Sequence, residues 1–532
     1  MTNTNKKITI YDTTLRDGSQ GHGISFSVED KLRIAMALDN IKIDYIEGGY
    51  PGSNPKDDLF FEQIREKKLS HAKVVAFGST RRKNTTCEKD ALTQALVNSK
   101  ADIVTIFAKT WDFQAEVALK ITPEENLVLI KDTVSYLKSK GLTVFMDGEH
   151  YFDGFKANSE YALKALATAV EAGVDMLVLC DTNGGTLPHE ISEIVHVTVK
   201  STSVPVGVHL HNDTDTAVAS SIAAILAGAV SVQGTINGFG ERCGNCNLTT
   251  LMPNLAIKMG YQFAASKYLT HLTELSRFVS ETANMAPFGN MPFVGNNAFA
   301  HKGGVHVSAL QRDTRTYEHI DPALVGNARN VLISELSGKS NIEFKAEELN
   351  IDLKEKPELS QSVLNRIKKL EDEGFQFEAA NGSFELIFRN EIGEYVPFFA
   401  LKGFRVITEM DEKNYMKCEA TIKVEVNGKE EHTASDGDGP VDALNSALRK
   451  ALDKFFPEIK DMQLVDYKVR VLNGKRGTAS KVRVLMDSQR DGQTWSTIGV
   501  SSNIIEASWQ AMVDSIEFML FKKQNKGKKK RA

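Results

Sequence analysis

Cysteine is scarce in this chain: five in 532 residues, an odd number scattered from Cys87 to Cys418. So loose a set makes no disulfide framework, and a reducing, cytoplasmic location is expected. No apolar run approaches the roughly 20 residues that cross a bilayer. The opening stretch, MTNTNKKITI, also lacks the apolar core of a secretory signal. Neither a GxGxxG nor a Walker A sequence occurs, which leaves dinucleotide-fold and P-loop readings without support. Charge of one sign is missing too: 64 Lys and Arg against 69 Asp and Glu leave a formal net charge of -5. No nucleic-acid partner and no membrane partner is expected on that balance. The single basic cluster closes the chain, and residues 523–532 read as a frayed, solvated tail.

What is present is the composition of a soluble globular protein, 42% hydrophobic and 25% charged. Its length argues for two to four folding units. From residue 1 to about 262, short apolar segments (ITIYDTT, DYIEGG, KVVAFGS, DIVTIFA, TVFMDGE, MLVLCDT, PVGVHLH and SVQGTIN) alternate with amphipathic helical stretches. Eight such units predict an α/β fold, a (β/α)8 TIM barrel, whose strands are apolar on both faces because helices cover them. Helix starts agree: Ser27 with Asp30, and Thr122-Pro123 with Glu125, have the spacing of capping boxes. Residues 263–365 read as a helical linker subdomain, interrupted by FGNMPFVGNN and HKGGVH. From 375 to 522 the pattern changes to strands and turns, then a helix, then strands and a second helix. Two strand-strand-strand-helix units in tandem predict a separate C-terminal α+β domain.

Catalytic groups of such a barrel come from the C-terminal ends of its strands. The polar residues there are Arg16 and Asp17, Glu47, Glu149, Asp181 and Thr182, His209 and His211, and Asn237 with Glu241 and Asn245 in the loop GFGERCGN. His209 and His211, two apart on a strand, face the same side. That spacing suits two imidazoles on one metal ion. Asp17 and the Asn245 amide oxygen would complete a mixed N/O set for Mg, Mn, Co or Zn with positions left open. Glu47 reads instead as a satisfied interior carboxylate. Cys243 and Cys246 form a lone CxxC without a second pair, which reads as small residues in a tight loop. Arg81 and Arg82 read as a solvated loop pair, and His301 and His306, by position alone, as solvated histidines.

The segments YDTTLRDGSQ, GVHLHNDT, NGFGERCGNCNL and FAHKGGVHVSAL, in this order, resemble the isopropylmalate, homocitrate and citramalate synthases. EGGYPGSNPKDDLFF and TYEHIDPALVGN look like the longer bacterial and archaeal citramalate-forming type. The resemblance implies that Asp17, His209, His211 and Asn245 hold a divalent metal, that Arg16 polarises a keto group, and that Thr182 binds a 2-oxo acid carboxylate. Glu149 would support the bound substrate or water. His306 and Tyr317 match residues that complete the active site of a partner subunit, with His306 the implied base, so a homodimer is expected. The implied activity is a Claisen-type condensation of acetyl-CoA, as co-substrate, with a 2-oxo acid. Pyruvate is the expected acceptor, at the head of a threonine-independent route to isoleucine; 2-oxoisovalerate, for leucine, is the alternative. The last domain is similar to the amino-acid-sensing domain of these enzymes, with isoleucine the expected effector. Ser19, where many members carry Glu, and the loop KTWDFQ depart from the commoner pattern near the acceptor pocket.

Overall fold

Eight parallel strands close into a barrel in chain order. They are β1 (Thr9–Asp12), β2 (Tyr45–Gly49), β3 (Lys73–Ser79), β4 (Ile103–Lys109), β5 (Thr143–Glu149), β6 (Met176–Asp181), β7 (Val206–Leu210) and β8 (Ser231–Gly234). The computed structural model describes residues 7–333, 337–353, 357–472, 477 and 479–529. Strand alternation sorts the apolar residues into two cores. Tyr11, Val75, Ile103, Phe145, Met176, Val178 and Cys180 fill the barrel interior. Their neighbours Ile10, Val74, Ala76, Val144, Met146, Leu177 and Leu179 turn outward, into the larger core under the helices. Both faces are buried, as the apolar runs required.

The helix starts are built as their sequences specify. Ser27 Oγ accepts from the Asp30 amide at 3.1 Å while Asp30 Oδ2 accepts from the Ser27 amide at 2.9 Å. Thr122 and Glu125 repeat the exchange at 3.1 and 2.8 Å. Each such cap contributes about 1 kcal/mol and fixes where the chain leaves its βα loop.

Packing does not divide the chain at 262. One compact unit comprises residues 1–299 and 320–328, the other 300–319 and 329–532. The reason lies in the helix Leu272–Thr282, whose Leu272, Leu275 and Val279 join the core of the barrel unit. Asn237 clamps it by donating to Ser276 O at 2.8 Å and to Ser280 Oγ at 2.9 Å. The expected linker at 263–365 is thus shared between the two units.

In the second unit, β9 (Ala300–His301) and β10 (Asn330–Val331) form a short parallel pair. Two antiparallel sheets follow: β11 (Ala400–Met410), β12 (Met416–Val426) and β13 (Lys429–Gly437), then β14 (Gln463–Leu472), β15 (Lys481–Arg490) and β16 (Gln493–Ser501). A helix follows each sheet, Pro440–Leu452 and Ile504–Lys529. The tandem repeat read from the sequence is therefore present. On β12, Ala420, Ile422, Val424 and Val426 alternate inward against Ala443, Leu444, Ala447 and Leu448 of the first helix.

Two details differ from expectation. The segment after 375 does not begin with strands: residues Asn381–Glu391 form a helix whose Phe384 and Phe388 are buried beside Ile498 and Val500 of β16. The basic tail from 523 is not frayed at its start, because the last helix runs to Lys529 and Lys523 pairs with Glu458 at 2.7 Å.

Candidate active site at the strand ends of the barrel

Arg16 and Asp17 follow β1, and both are held by their surroundings. Arg16 Nε donates to Glu47 Oε1 at 2.6 Å, and its guanidinium carbon lies 3.8 Å from the centre of the Phe77 ring. Glu47, fully buried in the middle of β2, also accepts from Tyr11 Oη at 2.6 Å. It is an interior carboxylate, as its position suggested, and its charge faces Arg16. Burial works against the guanidinium charge, but Glu47 and Asp17 outweigh it and push the Arg16 pKa upward.

Asp17, His209 and His211 converge. Each offers a ligand atom within 4.8 Å of the others, and all three are buried. His209 Nε2 lies 3.1 Å from Asp17 Oδ2, and the two imidazole rings are 5.2 Å apart. His211 falls one residue past β7, in an isolated bridge to Asn245. That bridge is flanked by further backbone bonds, Asn212 N to Gly244 O at 2.8 Å and Cys246 N to Leu210 O at 2.9 Å. These bonds lay the glycine-rich loop along the end of the strand. Gly240 is required there by close approach, since a Cβ would stand 1.8 Å from Asn245 Oδ1.

Burial raises the cost of ionising Asp17, yet Arg16 and the hydrogen bond from His209 hold its carboxyl well below the usual carboxylate range. Burial likewise opposes the charge on His209, but Asp17 wins and raises its pKa. His211 is pushed down to about 4, first by burial and then by His209.

Whether these residues fit a divalent cation is answered by their unmet valences. His211 Nδ1 and Asn245 Oδ1 are both buried and have no hydrogen-bond partner. The Asn245 amide nitrogen points at Asp17 Oδ2, 2.9 Å away, and at His209 Nε2, 3.2 Å away. A cation at this point would favour the opposite amide orientation, with the oxygen turned inward. Two imidazoles, a carboxylate and an amide oxygen are donors suited to a first-row divalent ion or Mg.

The remaining expected residues are arranged less centrally. Glu149, at the end of β5, is in an ion pair with Lys109 at the end of β4. Thr182 Oγ1 accepts from the His150 amide at 2.8 Å, which leaves its hydroxyl hydrogen free to donate. His306 and Tyr317 belong to the other compact unit, where their rings stack at 4.1 Å. His301 is not merely solvated: it meets Glu318 at 3.3 Å, and Glu318 is held by Arg329 at 2.6 Å. Arg81 and Arg82 are paired with Asp132 at 2.6 Å and Asp90 at 2.9 Å. Cys246 is buried with its thiol pushed up to about 12 by burial, while Cys243 is exposed, so the CxxC does not act as a pair.

Sequence reading missed three groups: Lys109, Asp147 and Gln233. Gln233 and Asp147 point into the barrel, on the inward phase of β8 and β5. That phase, counted from Phe145 and Ser231, was the available signal.

Fold and polar cluster together define a (β/α)8 barrel that gathers three side chains able to ligate a metal, Asp17, His209 and His211, at its strand ends. Residues 7–279 match the HMGL-like family, residues 293–375 the homocitrate synthase post-HMGL domain-like family, and residues 378–520 the LeuA allosteric (dimerisation) domain. The chain is 53% identical to an (R)-citramalate synthase of Geobacter sulfurreducens over 98% of its own length and 99% of the relative's. It is 50% identical to the (R)-citramalate synthase of Aquifex aeolicus over the same shares. Against a probable 2-isopropylmalate synthase of Methanopyrus kandleri, identity falls to 32% over 96% of this chain and 98% of that one. The chain belongs to the HMGL-like family of enzymes and, within it, stands with the (R)-citramalate synthases.

Proposed function

We propose that this enzyme condenses acetyl-CoA with pyruvate and, with water, releases (R)-citramalate and CoA. The observation that carries the chemistry is the buried Asp17, His209 and His211 cluster, with the orphan oxygen of Asn245 beside it and Arg16 alongside. The acceptor follows from the similarity to (R)-citramalate synthases, which far exceeds that to isopropylmalate synthases.

Asp17, His209, His211 and Asn245 would hold the divalent ion, which supplies Lewis-acid polarisation of the 2-oxo acid when bound. Arg16, kept cationic by Glu47, meets the charge that develops on the keto oxygen as the new carbon-carbon bond forms. The Thr182 hydroxyl donates to the acceptor's carboxylate. Glu149 supports the bound substrate or the water that later cleaves the thioester. His306 takes a proton from the acetyl methyl as a neutral imidazole, with Tyr317 stacked upon it. Both come from the second unit, and in this reading a homodimer presents them to the barrel of the partner.

The tandem C-terminal domain is read as an amino-acid sensor that binds isoleucine, the end product of the route this reaction would open. Its match to the LeuA allosteric (dimerisation) domain supports that role and the dimer. Among the described residues no helix is long and apolar enough to cross a membrane. A cytoplasmic location is proposed separately, from the five scattered cysteines.

The test is release of free CoA thiol with pyruvate, with 2-oxoisovalerate and with neither. Pyruvate should give the higher kcat/KM. A higher value for 2-oxoisovalerate turns the assignment to isopropylmalate synthesis, and no thiol release with either removes the acyltransferase reading.

A further inference from the structure

We propose that Gln233 and Asp147 are positioning residues of the cation site: Asp147 fixes the amide of Gln233, and Gln233 fixes the proton of His209. The proposal rests on the reading of Asp17, His209 and His211 as metal ligands and deepens it. Neither residue belongs to the ligand set, and the two come from strands on different sides of the barrel, β5 and β8.

The geometry forms one chain of hydrogen bonds. His209 Nδ1 donates to Gln233 Oε1 at 2.8 Å. Gln233 Nε2 donates to Asp147 Oδ1 at 3.1 Å. All three side chains are buried, with residue exposures of 5%, 1% and 3% for His209, Gln233 and Asp147, so no water competes freely for these bonds. Burial raises the Asp147 carboxyl to about 7 against the pull of His209; once ionised it accepts hydrogen bonds and offers none, and so draws the NH2 end of the Gln233 amide toward itself. The amide oxygen is then left facing the imidazole. An oxygen at that place requires a proton on Nδ1, and a neutral ring that carries its proton there keeps a lone pair on Nε2. Nε2 is the atom turned to Asp17 Oδ2, 3.1 Å away.

The reversed amide gives the opposite result. Its NH2 group would face Nδ1, the ring proton would move to Nε2, and the ligand position would be blocked. Asp147 therefore acts on the cation without touching it. An ordinary structural role, in which Gln233 only fills the barrel, predicts a loss of stability and no selective loss of metal.

The experiment is calorimetric titration of Mn2+, repeated with Zn2+, into the full-length metal-stripped protein. Parent, Gln233→Leu, Asp147→Asn and Gln233→Glu are compared, with thermal unfolding of each metal-free form as the control. Outer-shell partners of ligating histidines typically alter affinity about 10- to 100-fold, and Gln233→Leu should lose that much. Asp147→Asn should also bind more weakly, because an Asn side chain offers a donor and allows the Gln233 amide to reverse. Gln233→Glu keeps an acceptor at Nδ1, while its second oxygen must share a proton with Asp147 because two buried carboxylates in contact cannot both ionise; it should stay within about threefold of the parent, well short of that outer-shell loss. If Gln233→Leu does not fold, the contrast between Asp147→Asn and Gln233→Glu decides. Unchanged affinity in Gln233→Leu or, failing that variant, in Asp147→Asn overturns the proposal while the metal reading stands. A parent protein that binds neither ion overturns both.

Discussion

Arg16 stands between two carboxylates, its Nε 2.6 Å from Glu47 Oε1 and its Nη1 3.7 Å from Asp17 Oδ1. One partner is a residue of the barrel interior and the other belongs to the proposed cation site, so the same guanidinium ties stability to chemistry. Removing one member of a buried ion pair strands the other charge, at a typical cost of about 3–5 kcal/mol. Glu47→Gln should therefore lower the barrel's thermal transition and reduce kcat with it, while Glu47→Asp, retaining the charge, loses less of both. Scanning calorimetry and thiol-release kinetics on the two variants check this; equal stability of Glu47→Gln and the parent would show that Arg16 does not depend on Glu47.

The cluster itself makes the second prediction. His209→Ala and His211→Ala should abolish turnover, exceeding the about 100-fold losses found for outer-shell partners. His211 lies just beyond β7 and its Nδ1 has no partner to lose, so the His211→Ala fold should survive with little change in its unfolding temperature. Chelation of the parent should give the same loss, reversed by adding metal. Full turnover by the chelated enzyme would remove the metal mechanism.

Much of this site was legible because barrel chemistry is tied to strand ends, and strand ends can be counted from apolar segments. His209, with its partner two residues on, needed only the period of a β-strand. Gln233 and Asp147 were not legible in the same way. Their importance comes from the closure that brings β5 within reach of β8, and no local pattern reports a contact across 86 residues. The division of the linker was missed for a related reason: the apolar stripe of Leu272–Thr282 reads as a helix with one buried face, but which core receives that face is a tertiary fact.

Acceptor choice should be tunable at Phe107. Its ring stacks on Phe77 at 5.5 Å, Phe77 lies under Arg16, and both rings line a cavity of about 790 Å3 with Tyr50 and Ser19. If Arg16 polarises the keto oxygen as proposed, bulk beside it would limit the acceptor's side chain. Each methylene admitted or refused is worth about 1–3 kcal/mol. Phe107→Ala should thus shift the kcat/KM ratio toward 2-oxoisovalerate by about tenfold or more, a change at the low end of that range. An unchanged ratio would place the acceptor's side chain elsewhere.

A pH effect is expected in the C-terminal domain. Burial, with the negative charge of Glu517 adding to it, raises the Asp514 carboxyl to about 7, although the hydroxyl of Ser383 donates to it at 2.5 Å. The folded state therefore favours the protonated acid. Below about pH 4, the ordinary carboxylate range, both folded and unfolded chains hold the proton and no penalty exists. As pH rises the unfolded chain ionises first, stability falls, and the loss is complete once the folded-state value near 7 is passed. Asp514→Asn cannot ionise and should be more stable than the parent at pH 8.5, with the gap closing toward pH 5. Urea unfolding of the two proteins at both pH values measures it; a gap independent of pH would mean that Asp514 is not protonated in the native state.

The regulatory reading must be tested on the intact chain, because the packing argues against cutting the domain away. Ile342, Val363 and Ile367 from the region before 375 share one core with Phe377, Phe384, Ile498 and Val500, and a truncation near 370 would open that core to water. Linkage offers a route that needs no truncation. If isoleucine inhibits by binding two states of the enzyme with different affinity, pyruvate or acetyl-CoA must change isoleucine affinity by the same factor as isoleucine changes theirs. Such couplings typically lie between about 5- and 150-fold. Calorimetric titration of isoleucine into the full-length protein, alone and with saturating pyruvate, should show a shift of that order, matched by the shift in pyruvate affinity measured with isoleucine present. Isoleucine binding that is indifferent to both substrates would make the domain a silent ligand site. No binding and no inhibition by any branched-chain amino acid would leave it a dimerisation module, the other half of what its family match describes.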